Sequence, residues 1–189
     1  GRFSSEVVAL TQMAQELLDL SRIESGQVDL ILAPLTPKSL VTSAADRMKM
    51  QAERAGLKLS IKCEDNLPNI RADKSRLEQV LVNLIHNAVK FTKPGGEISL
   101  ETEPAIGGAP YGDGIRFAVR DSGVGIPAES LSRIFERFYR VDKSRTGSGT
   151  GLGLSISKHI IEAHGGKIWA ESHEGRGSVF YFVIPLTKN

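Results

Sequence analysis

Residues 74–91 read as a helix whose surface carries two stripes of different chemistry, and such a helix has to lie on something. At about 100° per residue, Asn83, Asn87 and Lys90 stand at i, i+4 and i+7 and fall within an arc of about 60°. Leu77, Leu81, Leu84, Ala88 and Phe91 fill a second arc, centred roughly 110° away by the same geometry. The apolar arc packs on a sheet, so the amides sit beside the core rather than in it. Carboxamide oxygens are neutral hard donors that suit Mg²⁺, an ion that keeps several waters and takes further oxygens from phosphates. A lysine one turn on offers a point charge to a phosphate. Taken alone, the stripe fits a solvated polar edge as well.

What surrounds this helix decides the fold class. VDLIL (28–32) is short and β-like, residues 37–55 are helical with Gly56 after them, and LKLSIKC (57–63) alternates as a strand does. EISLETE (97–103) and IRFAVRD (115–121) read as paired strands, joined by a loop around GGAPYGDG whose glycines and proline exclude regular structure. A short helix near 128–135, a loop rich in glycine and charge reaching Thr150, a helix over 152–164 and the strands KIWAES and SVFYFVIPL complete the chain. Strands clustered beside helices without steady alternation predict an α+β fold, a two-layer α/β sandwich with a mixed, mostly antiparallel sheet covered on one side by helices. Neither internal repeats nor low-complexity tracts interrupt it.

Residues 5–24 stand apart. Val7, Leu10, Met13, Leu17 and Leu20 recur at steps of three and four, and Gly26 supplies a stop. One helix cannot bury its own stripe, so it needs a partner helix from another chain or from sequence outside this one. Packing on the following domain is the other reading. Pro34 and Pro37 punctuate the boundary, which divides the chain into an N-terminal bundle helix (1–27) and a larger domain (28–189).

At 189 residues, 40% hydrophobic and 24% charged, the chain can bury one sizeable core with an appendage. A formal charge of +2 is too balanced for a nucleic-acid footprint. The single Cys63 has no disulfide partner and no metal-site spacing, which suits a small strand residue in a reducing compartment. No apolar run is long enough to span a membrane and no leader opens the chain, so a cytoplasmic location is expected. The chain begins at Gly1 rather than Met and reads as a piece of a longer protein, which leaves room for a membrane segment upstream.

DSGVGIP (121–127) directly follows a strand. An aspartate there can accept from an exocyclic amine, while Gly123 and Gly125 let the backbone turn and approach a flat ring; an ordinary turn has the same look. GSGTGLGL (147–154) places Gly147, Gly149, Gly151 and Gly153 at alternate positions before a helix, where free amides favour phosphate. Two familiar phosphate motifs fail. Gly107 and Gly112 have P-loop spacing, but Asp113 stands where the lysine belongs; the glycines of 147–153 follow a charged loop rather than a strand and miss the dinucleotide spacing.

NLIHNAVKFT (83–92), DSGVGIP, IFERFYRVD and GTGLGL, in this order, resemble the N, G1, F and G2 boxes of sensor histidine kinases, within the ATP-binding superfamily that includes gyrase, MutL and the heat-shock chaperone. The resemblance covers the chain from about Pro34 onward, and DLSRIESG (19–26) looks like the second helix of the dimerisation and phosphotransfer hairpin of such kinases. It implies that the cofactors are ATP and Mg²⁺. It implies that Asn87 holds the metal, that Asn83 supports the same metal and phosphate shell, and that Lys90 touches phosphate. Asp121 reads the adenine amino group, with Gly123, Gly125 and Ile126 beneath the base. Phe135 and Phe138 match the aromatic positions of the F box and anchor a loop by burial. Arg140 reaches the γ-phosphate, with Tyr139 and Arg137 flanking it. Residues 137–150 form a lid closing over ATP, in which Lys143 and Arg145 are solvated or visit phosphate. Gly149, Thr150, Gly151, Leu152 and Gly153 cradle the phosphates.

Hydrolysing relatives carry a glutamate where this chain has Asn83, and an amide cannot activate water, so hydrolysis is expected to be slow. Such kinases phosphorylate a histidine followed by an acidic residue, with a proline five positions after the histidine. His86, His159, His164 and His173 do not fit that pattern and read as surface or packing residues. The implied activity is transfer of the ATP γ-phosphate to a histidine on a helix absent from this sequence, then to a response-regulator aspartate. The implied partners are that receiver domain and a second copy through a four-helix bundle. A conformational ATPase of the gyrase or chaperone type, or a nucleotide-sensing module without transfer, is the alternative.

Overall fold

Alternation along three central strands builds the sheet. β4 (Glu97–Gly108) turns Ile98 and Leu100 to one side, β5 (Gly112–Asp121) turns Ile115, Phe117 and Val119, and β7 (Gly177–Pro185) turns Phe180, Phe182 and Ile184, all of them buried. β2 (Lys58–Cys63) and β6 (Lys167–His173) complete five strands in the order β2-β4-β5-β7-β6. β2 runs parallel to β4 and every other pairing is antiparallel. Phe117 and Phe182 stack at 4.8 Å on the inner face. The computed structural model describes residues 2–25, 29–108, 112–141 and 151–186.

Three helices share that core: α2 (Pro37–Arg54), α3 (Lys74–Phe91) and α5 (Gly153–Ala163). The apolar arc of α3 is buried as its spacing requires, with Val80 and Ile85 added to Leu77, Leu81, Leu84 and Ala88. Asp73 caps α3 by accepting from Arg76 N at 3.2 Å, and its carboxylate also accepts from Ile31 N at 3.0 Å. The Asp73 N–H donates to His164 Nε2 at 3.1 Å, while His164 Nδ1 lies 2.8 Å from Ile160 O. A backbone N–H can only donate, so His164 is the neutral Nδ1–H tautomer, a packing histidine that ties the start of α3 to the end of α5.

The other face of the sheet carries a smaller apolar cluster. Trp169 stacks on Tyr181 at 5.2 Å over buried Ala118 and Val179, and the charges around them are paired, Arg120 with Glu101 at 2.9 Å and Arg116 with Glu103. Exposed pairs of this kind contribute about 0–1 kcal/mol each, so they cover this face more than they stabilise it.

The structure departs from the sequence pattern in several places. The described part of VDLIL, residues 29–32, is not a strand: Ile31 N bonds the Asp73 side chain instead of a ladder partner, and the strand here is β1 (Ala33–Leu35), paired with an unanticipated β3 (Ile70–Ala72). The β4–β5 hairpin continues into the supposed loop as far as Gly108 and from Gly112, through a register shift between Ala105 and Gly108. Glycine serves the ladder there, and the Asp113 carboxylate accepts from Gly107 N at 3.0 Å. The short helix α4 spans only Ala128–Leu131.

α1 (Arg2–Glu24) divides its stripe between two fates. Leu20 is 1% exposed and Ile23 is half-buried against α5 and the core, whereas Val7 and Leu10 are 59% and 67% exposed. Packing on the following domain therefore accounts for the C-terminal part of the stripe, and its N-terminal part is exposed. The boundary expected at 27/28 lies outside the described residues. Among the described residues no helix is long and apolar enough to cross a membrane.

Candidate functional site

Three segments far apart in sequence converge at one end of the helical layer. They are the polar stripe of α3, the loop after β5 and the approach to α5, and they line a cavity of about 760 Å³. Asn83, Asn87 and Lys90 all face it, as do Gly125 and Ile126, Tyr139 and Arg140, and Gly151 and Gly153.

Asp121 ends β5 and is 6% exposed. Its carboxylate accepts from Gly123 N at 2.9 Å and from Ser178 N. Burial pushes its pKa above the usual carboxylate value, and those two hydrogen bonds pull partly back. A carboxylate has about four acceptor positions, so its acceptor capacity is not filled, but Asp121 and Gly123 lie behind Gly125 and Ile126 and do not themselves line the cavity. The loop behind it admits no side chains: a Cβ on Gly123 would lie 2.3 Å from Phe91 O, and one on Gly125, where φ is +78°, 2.3 Å from His173 O. Val124 N donates to Phe91 O at 3.1 Å, which fixes the loop to the end of α3.

On α3 the two amides are held differently. Asn83 Nδ2 points at α5, 3.4 Å from both Gly153 O and Ser157 Oγ, so its Oδ1 is the atom left for the cavity. Asn87 has no hydrogen-bond partner for its amide among the described residues, although it is half-buried. Lys90 and Arg140 lie close enough for their charges to repel: burial first, then Arg140, holds the Lys90 ammonium below its ordinary pKa. Two cations held together favour an anion between them.

Tyr139 spends its hydroxyl on Ser130 Oγ at 2.8 Å and stacks under Arg133 at 4.6 Å, so it offers the cavity its ring. Phe135 packs edge-on against Phe180 at 6.2 Å, in keeping with anchoring by burial. Phe138 does not: its side chain is 51% exposed. It anchors through the backbone, with φ +60° and its N–H donating to Gly151 O at 2.9 Å. A Cβ on Gly151 would sit 2.7 Å from Phe138 Cα, so these two residues clasp the base of the expected lid. Gly149, Thr150, Lys143 and Arg145 lie outside the described residues. Leu152 is fully buried at the N-cap of α5 with no side-chain cap, so a cradle there is made of backbone.

Several contributors had no sequence signal. Met13 and Glu16 of α1 and Met48 and Gln51 of α2 line the same cavity. Glu24 pairs with Arg137 and lies 3.7 Å from His159, joining the end of α1 to the root of the lid. Ser172 and Ser178 brace the loop after Asp121; the serines flanking the glycine-rich turn 173–177 were the one available hint.

Residues 72–188 match the family model of the histidine kinase-, DNA gyrase B-, and HSP90-like ATPases. The chain belongs to that family. It is 38% identical over 181 residues to the circadian input-output histidine kinase CikA of Synechococcus elongatus, covering 93% of this chain and 23% of that one. The full-length ShkA structure in complex with AMPPNP superimposes with a TM-score of 0.82 at 32% identity, over 100% of this chain and 40% of that one. The histidine kinase ThkA, solved in complex with the response regulator protein TrrA, gives 0.75 at 28% identity, over 97% and 49%. The chain spans only 23% and 21% of the length of two such curated relatives. The family and the two-layer fold expected from the four boxes are those observed, and the relatives are sensor histidine kinases.

Proposed function

We propose that this chain is the catalytic ATP-binding module of a two-component sensor kinase, acting in the cytoplasm. It would hold ATP so that the γ-phosphate passes to a histidine on a helix outside this sequence, and then to an aspartate of a response regulator. The observation that carries this is the convergence on one cavity of an amide stripe, a pair of repelling cations and the loop anchored by a buried carboxylate. In this reading residues 1–27 belong to the phosphotransfer bundle, where the exposed stripe of α1 would meet a second copy.

Asp121 would accept from the adenine amino group over the glycine floor. Lys90 and Arg140 would take phosphate oxygens and steady charge as the γ-phosphoryl leaves ADP. Among the described residues no cluster of three His, Cys, Asp or Glu is available to a metal. Asn87, with its unengaged amide, and Asn83 Oδ1 fit Mg²⁺, whose remaining ligands would be water and phosphate. Bound there, the ion neutralises polyphosphate charge. Asn83 offers no base, and its Nδ2 is committed to α5, which favours transfer over the hydrolytic cycle of a conformational ATPase.

Mixing the chain with the missing acceptor helix, ATP and Mg²⁺ should yield an acid-labile phosphohistidine on that helix. Its absence, with rapid phosphate release instead, would favour the ATPase. Lys90→Gln removes one of the two repelling cations. Its ATP affinity should fall about tenfold by the worth of a charge-assisted hydrogen bond, with a shallower salt dependence. Calorimetry at two ionic strengths checks both.

A further inference from the structure

Ser172 lies near the end of β6, opposite Ser178 of β7, and does not line the cavity. Its hydroxyl nevertheless meets three groups: Ile126 N at 2.7 Å, Gly177 O at 2.9 Å and Ser178 Oγ at 2.9 Å. A hydroxyl has one proton and two lone pairs. The carbonyl of Gly177 can only accept, so Ser172 donates there, accepts from Ile126 N–H and accepts from the Ser178 hydroxyl. Its hydrogen-bonding capacity is full.

Around it the β6–β7 hairpin and the loop 121–127 meet backbone to backbone. Gly175 N donates to Val124 O at 2.8 Å and Ser178 N to the Asp121 carboxylate. Cβ atoms on Gly177 and Gly125 would lie 2.1 Å from Asp121 O and 2.3 Å from His173 O. Ser172 crosses this seam from the hairpin side, and it grips both ends of the loop: Ile126 directly, and Asp121 through Ser178.

We propose that Ser172 is a positioning residue for base recognition, holding the hairpin against the loop so that the Asp121 carboxylate meets the 6-amino group of adenine in line. This rests on the reading of Asp121 as the acceptor for that group. Removing the hydroxyl strands the Ile126 N–H and releases Ser178, so the cost should fall mainly on the contact with the amino group rather than on the triphosphate.

The test compares binding of ATP and of purine riboside triphosphate, which lacks the 6-amino group, by calorimetry on the full chain. The parent should prefer ATP by about 10- to 100-fold, the worth of a hydrogen bond to a charged group. Ser172→Ala should shrink that preference to roughly threefold or less by the same scale, and Ser172→Thr, which keeps the hydroxyl, should restore it. If the alanine variant does not fold, Ser172→Cys, of similar volume and weak hydrogen bonding, should show the same loss. An undiminished preference in Ser172→Ala, with both ligands weakened alike, overturns the proposal. A parent that binds the two ligands equally overturns the reading of Asp121 itself, and the proposal falls with it.

Discussion

Asp121→Asn is expected to lower ATP affinity by about 100-fold, near the upper range for a hydrogen bond to a charged group, without lowering the thermal midpoint of the nucleotide-free chain by more than a few degrees. An asparagine keeps the shape and can still accept from Gly123 N, but it turns an NH₂ toward one of the positions where the carboxylate accepts. The stability half follows from the pKa. Burial raises the Asp121 carboxyl above its ordinary value of 3.8, so the folded state binds that proton more tightly than the unfolded state does. Its contribution to stability is therefore present in acid and is lost as pH rises through the folded pKa. At neutral pH the ionised group is a net cost, which the neutral amide removes. The same raised pKa predicts that ATP affinity of the parent begins to fall, on acidification, at a higher pH than an ordinary carboxylate would dictate, and that Asp121→Asn shows no such fall. Calorimetry across a pH series, paired with thermal melts, reads both. A pH-independent parent affinity would remove Asp121 from base recognition.

The parts of this site that were legible in the sequence are those in which side-chain type repeats with a period. α3 could be read to its ends because eighteen residues carry one apolar arc and one polar arc, and β5 because inward and outward residues alternate along it. β1 and β3 have three residues each, too few for a period to show, and they exist because Leu35 and Ile70 face each other beside the core. VDLIL misled for the complementary reason: its composition suits a strand, but the capping carboxylate of Asp73 takes the N–H that a ladder would have used. Phe138 was misjudged because a large aromatic in a loop reads as an anchor, whereas here the backbone of Phe138 does the anchoring and the ring is left outside. The bracing by Ser172 depends on contact between main chains about fifty residues apart, which the serines flanking the turn 173–177 hint at but do not specify.

Asn87→Ala should separate binding from folding more sharply still. Asn87 sits one turn from Asn83 on the polar stripe, faces the cavity, and has no hydrogen bond for its amide among the described residues. Among the described residues no hydrogen bond is lost with that amide. Alanine is the better helix former by about 0.5 kcal/mol, so the thermal midpoint should rise by about 1–2 °C for a domain of this size. Asn83→Ala is the control: it deletes the contacts from Nδ2 to Gly153 O and Ser157 Oγ, so it should destabilise the join between α3 and α5 even without ligand. If Asn87 holds Mg²⁺, its alanine variant should lose on the order of 100-fold in ATP affinity when the metal is present, within the range seen when metal-site groups are removed. It should match the parent when the metal is chelated, and phosphate transfer to an added acceptor helix should fall in proportion. A variant whose ATP affinity responds to Mg²⁺ as the parent's does would place the ion elsewhere on the polyphosphate and leave the amide of Asn87 a solvated edge.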